Sequence, residues 1–65
     1  MTIQRATLVL HPNTIGTQIK DPSNDQVIIE FTESNDYNGN RQAAEKWLTE
    51  NGYIHVGASD YEKSA

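Results

Sequence analysis

Only one stretch of the chain, from about Arg41 to Asn51, carries its apolar residues at helical spacing. Ala44, Trp47, Leu48 and Asn51 stand at i, i+3, i+4 and i+7, which turns the indole and Leu48 toward one side of a helix. Asn38 or Asn40 can cap its start, and Gly52 can take the left-handed conformation that closes its end. Arg41 in the predicted first turn and Glu50 in the last oppose the helix dipole by about 0.3–1 kcal/mol each, so packing must hold the helix. A lone amphipathic helix has to bury its stripe against something else, and the rest of the sequence supplies strands.

Thr2 to Leu10 alternates, with Ala6, Leu8 and Leu10 on one face, and His11-Pro12-Asn13 ends the run. Ile15, Thr17 and Ile19 predict a short second strand over residues 14–20, in which Gly16 marks a bulge. Asp21-Pro22-Ser23-Asn24-Asp25 is turn chemistry throughout. Gln26 to Glu33 is the clearest strand, with Val27, Ile29 and Phe31 inward and Glu30 among the residues facing out. Ile28 departs from that pattern and, with Val9, would form an apolar spot on the uncovered face. Tyr53 to Gly57 reads as a last strand with Ile54 and Val56 inward.

The predicted fold is therefore α+β. It is a small three- to four-stranded, mainly antiparallel sheet with one helix packed on one face, in the order β(β)βαβ. Residues 1–58 are expected to form a single domain centred on Trp47, and residues 59–65 a polar C-terminal tail.

Size limits what such a fold can hold. A chain of 65 residues buries only about 60% of the surface its unfolded form exposes, so the core must be thin. Cysteine is absent, which removes disulfides, thiolate zinc sites, iron–sulfur clusters and cysteine nucleophiles. A second copy, joined through an edge strand or the Ile28/Val9 face, would make good the deficit. The longest apolar run, Leu8-Val9-Leu10, is far below the about 20 residues of a membrane helix, so no membrane partner is expected. Met1 to Arg5 lacks the basic stretch and apolar block of a signal peptide, and a cytoplasmic setting is the expectation.

Catalytic patterns are missing as well. Gly16, Gly39, Gly52 and Gly57 are scattered and make no phosphate-cradling loop. His11 and His55, the only imidazoles, lack metal-site spacing and read as strand-end surface residues. Ser34, Asp36 and His55 have the residue types of a triad, but no nucleophile elbow surrounds Ser34. Glu30 and Glu33 stand at odd spacing and would point to opposite faces of one strand. A ligand pocket of about 300 Å³ is more than so small a core should leave room for. The expectation is a non-enzyme with no cofactor and no metal.

Charge is the remaining signal. The net charge is -4, and the excess arises in residues 21–36, where Asp21, Asp25, Glu30, Glu33 and Asp36 face no Lys or Arg. With a pI near 4.8 the chain does not suit direct nucleic-acid binding, which rests on Lys and Arg neutralising phosphates. An acidic surface can serve solubility alone. The sharper expectation is a docking face made of the acidic block and Tyr37, which occludes a basic surface on a larger protein. If that surface normally holds nucleic acid, the acids stand in for phosphates. Tyr37 and Tyr61 both lie in polar segments beside acids, where a tyrosine either anchors an interface or packs over the core edge. Small inhibitors and adaptors, including those that phages encode, share this makeup as a class. The alternative is a homodimeric structural or regulatory subunit whose acids keep it soluble. On the first expectation, reversal of Glu30, Glu33 and Asp36 to lysine leaves the fold intact and abolishes binding, whereas loss of both histidines does not.

Overall fold

The computed structural model describes residues 2–64. Its elements are β1 (Ile3–Leu10), β2 (Thr17–Asp21), β3 (Gln26–Phe31), α1 (Tyr37–Glu50), β4 (Ile54–Gly57) and β5 (Asp60–Ser64). The strands form one sheet in the order β3-β2-β1-β5-β4, and every neighbouring pair is antiparallel. The fold is α+β with one helix, as expected, but the sheet has five strands rather than three or four.

The additional strand comes from the segment expected to be a polar tail. Residues 60–64 insert between β1 and β4, with Ala6 opposite Tyr61 and Arg5 opposite Glu62. Tyr61 is buried in the core, so a domain boundary at residue 58 does not hold. A strand with one large apolar residue has no readable hydrophobic alternation. This one is held by cross-strand polar pairs instead: Arg5 Nε lies 3.4 Å from Glu62, and the Thr7 hydroxyl donates to Asp60 at 3.1 Å. The turn before it, Ala58-Ser59, lacks the usual Asn-Gly signature and sets Ala58 at φ 26°.

Register assigns the two faces of the sheet. Leu8, Ile19 and Ile29 lie in one row, and Ala6, Tyr61 and His55 in another, on the face that α1 covers. Ala6, Leu8, Ile19, Ala44, Leu48 and Tyr61 form the core, with Ile29, Phe31, Trp47 and Tyr53 packed against it. The buried stripe of the helix is Asn40, Ala44 and Leu48, at intervals of one turn. Trp47 is therefore not the centre. It flanks the stripe, half-buried, and stacks on Tyr53 with ring centroids 6.1 Å apart. Asn51 is exposed, and it ends the helix rather than facing the sheet.

Other departures follow from strand parity, since a shift of one residue sends every side chain to the opposite face. The bulge lies in the β2–β3 pair, not at Gly16. Ile19 pairs with Ile29 and Lys20 with Val27, leaving Ile28 without a partner. Val27 thus sits opposite Lys20 and is exposed, while Ile28 lines a groove with Gln4 and Tyr53. Val9 belongs to a different row, with Gln18 and Glu30, so the expected Ile28/Val9 spot does not form. In β4, pairing of His55 with Tyr61 turns Ile54 outward, and Val56 falls at a second irregularity; both are exposed. Ile15 lies before β2, exposed, and Leu10 is exposed at the end of β1. Gly16 is required by close approach, because a Cβ there would stand 2.8 Å from the Phe31 carbonyl oxygen.

The helix begins at Tyr37, about a turn before the expected start. Asp36, in extended conformation, caps it by accepting the Gly39 N–H, so Asn38 and Asn40 lie inside the helix. Arg41 accordingly falls in the second turn, clear of the dipole's positive end. The far end closes as expected. Gly52 adopts φ +85°, its N–H donates to Thr49 O at 3.1 Å, and the Tyr53 N–H donates to Leu48 O at 2.9 Å.

Leu48 is fully buried and Trp47 only partly, so Leu48→Ala should be the more damaging change, lowering stability by about 2–5 kcal/mol. Urea melts of the two variants followed by far-UV circular dichroism measure this, and an earlier midpoint for Trp47→Ala would contradict the packing described.

Candidate functional site

Strand β3 divides the acidic block between two ends of the sheet. Asp21 and Asp25 sit at the β2–β3 turn. Glu30, Glu33 and Asp36 sit at the opposite end, where the chain leaves β3 for α1. Glu30 lies four residues along β3 from Gln26, the partner of Asp21, which at about 3.3 Å per residue sets it about 10–13 Å from the turn, and Glu33 lies farther on.

The turn acids are engaged in building the turn. Asp21 Oδ1 accepts from the Ser23 hydroxyl at 2.6 Å and from the Ser23 N–H at 2.9 Å. These two bonds, the hydroxyl first, hold the Asp21 carboxyl below the usual aspartate range. Asp25 adopts φ 59°, and its carboxylate lies 3.5 Å from Lys20 Nζ. Neither acid presents a free, unpaired carboxylate to a partner.

At the other end, Glu30 lies on the outer face, half-exposed, with Oε2 2.6 Å from His11 Nε2. His11 Nδ1 accepts the Asn13 N–H at 3.1 Å, which leaves Nε2 to donate to Glu30. Glu33 is exposed, beyond the end of the strand. Because β3 stops at Phe31, strand parity no longer separates the two glutamates. Both line one groove of about 600 Å³, together with Phe31, Ser34, Asn40 and Ala43. Strand parity alone would hold the two glutamates apart, and they share this groove because Glu33 lies beyond the strand; the groove is a surface depression, not a pocket beside the core. Asp36 stands beside the groove, occupied as the helix cap, and Tyr37 is the half-buried first residue of α1.

Asn40 shapes this end. It is 2% exposed; its Oδ1 accepts the Ser34 N–H at 2.9 Å, and its Nδ2 donates to the Ile15 and Ser34 carbonyls at 3.3 Å each. One side chain thus ties α1 to the loop after β3 and to the loop before β2. The sequence offers Asn40 as a cap, whereas the structure makes it a core residue. The available signal was its place one turn before Ala44 and two before Leu48, on the apolar stripe.

The remaining candidates lie apart. His55 is on β4, at the sheet edge opposite β3, where its ring sits 4.9 Å from that of Tyr61 and its Nε2 lies 2.7 Å from the Ala58 carbonyl oxygen. Ser34, Asp36 and His55 therefore do not assemble. Tyr61 packs in the core, where burial, with Glu45 adding to it against Arg41, pushes its phenol above the usual range. Among the described residues no three His, Asp or Glu side chains gather as a metal site, and no helix is long and apolar enough to cross a membrane. No family model matches the chain, and no curated protein or solved structure matches it.

Asn40→Ala leaves the Ser34 N–H and two carbonyls without their partner and should cost about 1–3 kcal/mol, measured as a lower melting temperature. An unchanged melt would show that the loops are held another way. The Asp21 carboxyl, followed by NMR against pH, should titrate below the ordinary value and move up in Ser23→Ala. A depressed folded-state pKa stabilises above the unfolded value and is lost as pH falls through the folded one, so Ser23→Ala should blunt the acid sensitivity of the turn. A carboxyl that titrates identically in both proteins would rule out the Ser23 contacts as its cause.

Proposed function

We propose that the protein is a non-catalytic, cytoplasmic protein-binding module that occludes a basic surface of a larger protein, an inhibitor or adaptor of the kind phages encode. The observation that carries this reading is the groove at the end of β3, whose described lining combines Glu30 and Glu33 with the apolar Phe31 and Ala43 and includes no Lys or Arg. An arginine stem can pack against such apolar side chains while its guanidinium meets the carboxylates. Asp36 adds charge at the groove's edge, and Tyr37 offers a half-buried ring beside it. Asp21 and Asp25, tied up in the far turn, contribute to the general field rather than to contact. Where the partner's surface normally holds nucleic acid, the carboxylates take the place of phosphates.

The cap role of Asp36 alters the decisive variant. Reversal of all three acids would remove the cap, at a cost of about 1 kcal/mol, and so would not leave the fold untouched. Glu30→Lys with Glu33→Lys keeps the cap and reverses the groove.

Isotope-labelled protein titrated with a short arginine-rich peptide tests the reading. Amide shifts should concentrate between Glu30 and Asn40, weaken as added salt shortens the Debye length below about 8 Å, and vanish in the double reversal. Shifts centred on the Asp21–Asp25 turn, or unaffected by the reversal, would leave the acids a solubility role only.

A further inference from the structure

Sheets end in edges, and the two edges here are unlike. All four residues of β4 are exposed, Ile54 by 69% and Val56 by 54%, and β4 places no residue in the core. Ile54 and Val56 border a shallow depression of about 170 Å³ with Ile3, 53% exposed, and with Glu62, Lys63 and Ser64 of the intervening β5, so the apolar surface at this edge is the pair on β4. Of the features that blunt an edge, β4 has its four-residue length and the irregularity at Val56, but no proline, no lysine, no inward-pointing charge and, among the described residues, no covering segment.

Charge and symmetry identify what fits this edge. Antiparallel self-pairing through β3 would set the Glu30–Glu33 end of one copy beside the Asp21–Asp25 turn of the other, acid against acid, in a chain whose net charge is -4. Strand β4 carries no acid and no Lys or Arg. A two-fold axis at His55 sets Ile54 opposite Val56 of the second copy and Val56 opposite Ile54, so each apolar side chain meets another on the outer face. The edge is self-complementary, and the other edge repels itself.

We infer that β4 is the pairing edge for a second copy of this chain, giving a continuous antiparallel sheet with five strands from each copy. The acidic groove lies at the opposite edge, β3, and stays open in such a dimer, so the inference stands whether or not that groove binds a basic partner.

Sedimentation equilibrium over a wide concentration range should show a monomer–dimer equilibrium. Ile54→Lys with Val56→Lys should weaken it by at least about tenfold, because like charges then oppose each other across the two-fold axis. Val27→Lys, on the β3 edge, should leave it unchanged. In a mixture of labelled and unlabelled wild-type protein, isotope-filtered NOEs should connect the Ile54 and Val56 methyl groups of different copies. This measurement decides the matter even where the lysine variant does not fold. A monomer mass at every concentration, a dimer indifferent to the β4 change, a dimer lost in Val27→Lys, or intermolecular NOEs arising elsewhere would each overturn the inference.

Discussion

A helix is about 10 Å across and strands in a sheet lie about 4.8 Å apart, so one helix covers little more than two strands. Here α1 packs on β2 and β3. The position is set at its first turns, where Asn40 bonds the loops on both sides of those strands, and carried on by Ala44 and Leu48, which are buried against the sheet. Beyond that footprint Ala6 and Leu8 bring β1 into the core, and Tyr61 alone brings in β5. Strand β4, which places nothing in the core, is held by its ladder to β5 and by the contact of His55 with Tyr61. The thinness of the core and the exposed apolar edge are two consequences of the same coverage.

Charge is divided along the same axis. The chain crosses from β3 at one edge to β4 at the other by way of α1, and Glu30, Glu33 and Asp36 lie just before that crossing, around the start of the helix, while Asp21 and Asp25 stay at the far turn. Some of them are spent on structure: Asp36 caps the helix, Asp21 closes a turn, and Asp25 faces Lys20. Glu33 makes no such contact, and Glu30 shares its charge with a single imidazole proton. A surface argument based on the number of acids would weight all five equally, whereas the geometry concentrates their reach at Glu30 and Glu33.

Local chemistry was legible in the sequence wherever it acts alone. The Asp21–Asp25 turn, the Gly52 helix closure and the inward Ala6 and Leu8 need only neighbouring residues to define them, and they stand where they were expected. What failed depends on distant partners. Strand β5 exists because β1 and β4 flank it, and one tyrosine among polar residues gives no sign of that. The outward turn of Ile54 follows from which residue meets Tyr61, and Val27 is turned by the bulge in β3. The helix start was hidden by Asn38 and Gly39, which read as loop, although Asp36 three residues before Gly39 is a sound cap. For the acidic site, residue identities were readable, but their separation into two ends required the sheet.

The claim on which the rest depends is that α1 stabilises one half of the sheet and leaves the other to its ladder. Native-state hydrogen exchange in dilute protein tests this directly. Amides of Ile19 and Leu48 should exchange only with global unfolding, and those bonded between β4 and β5 through a local opening of clearly lower free energy. Equal protection across the whole sheet would contradict the account.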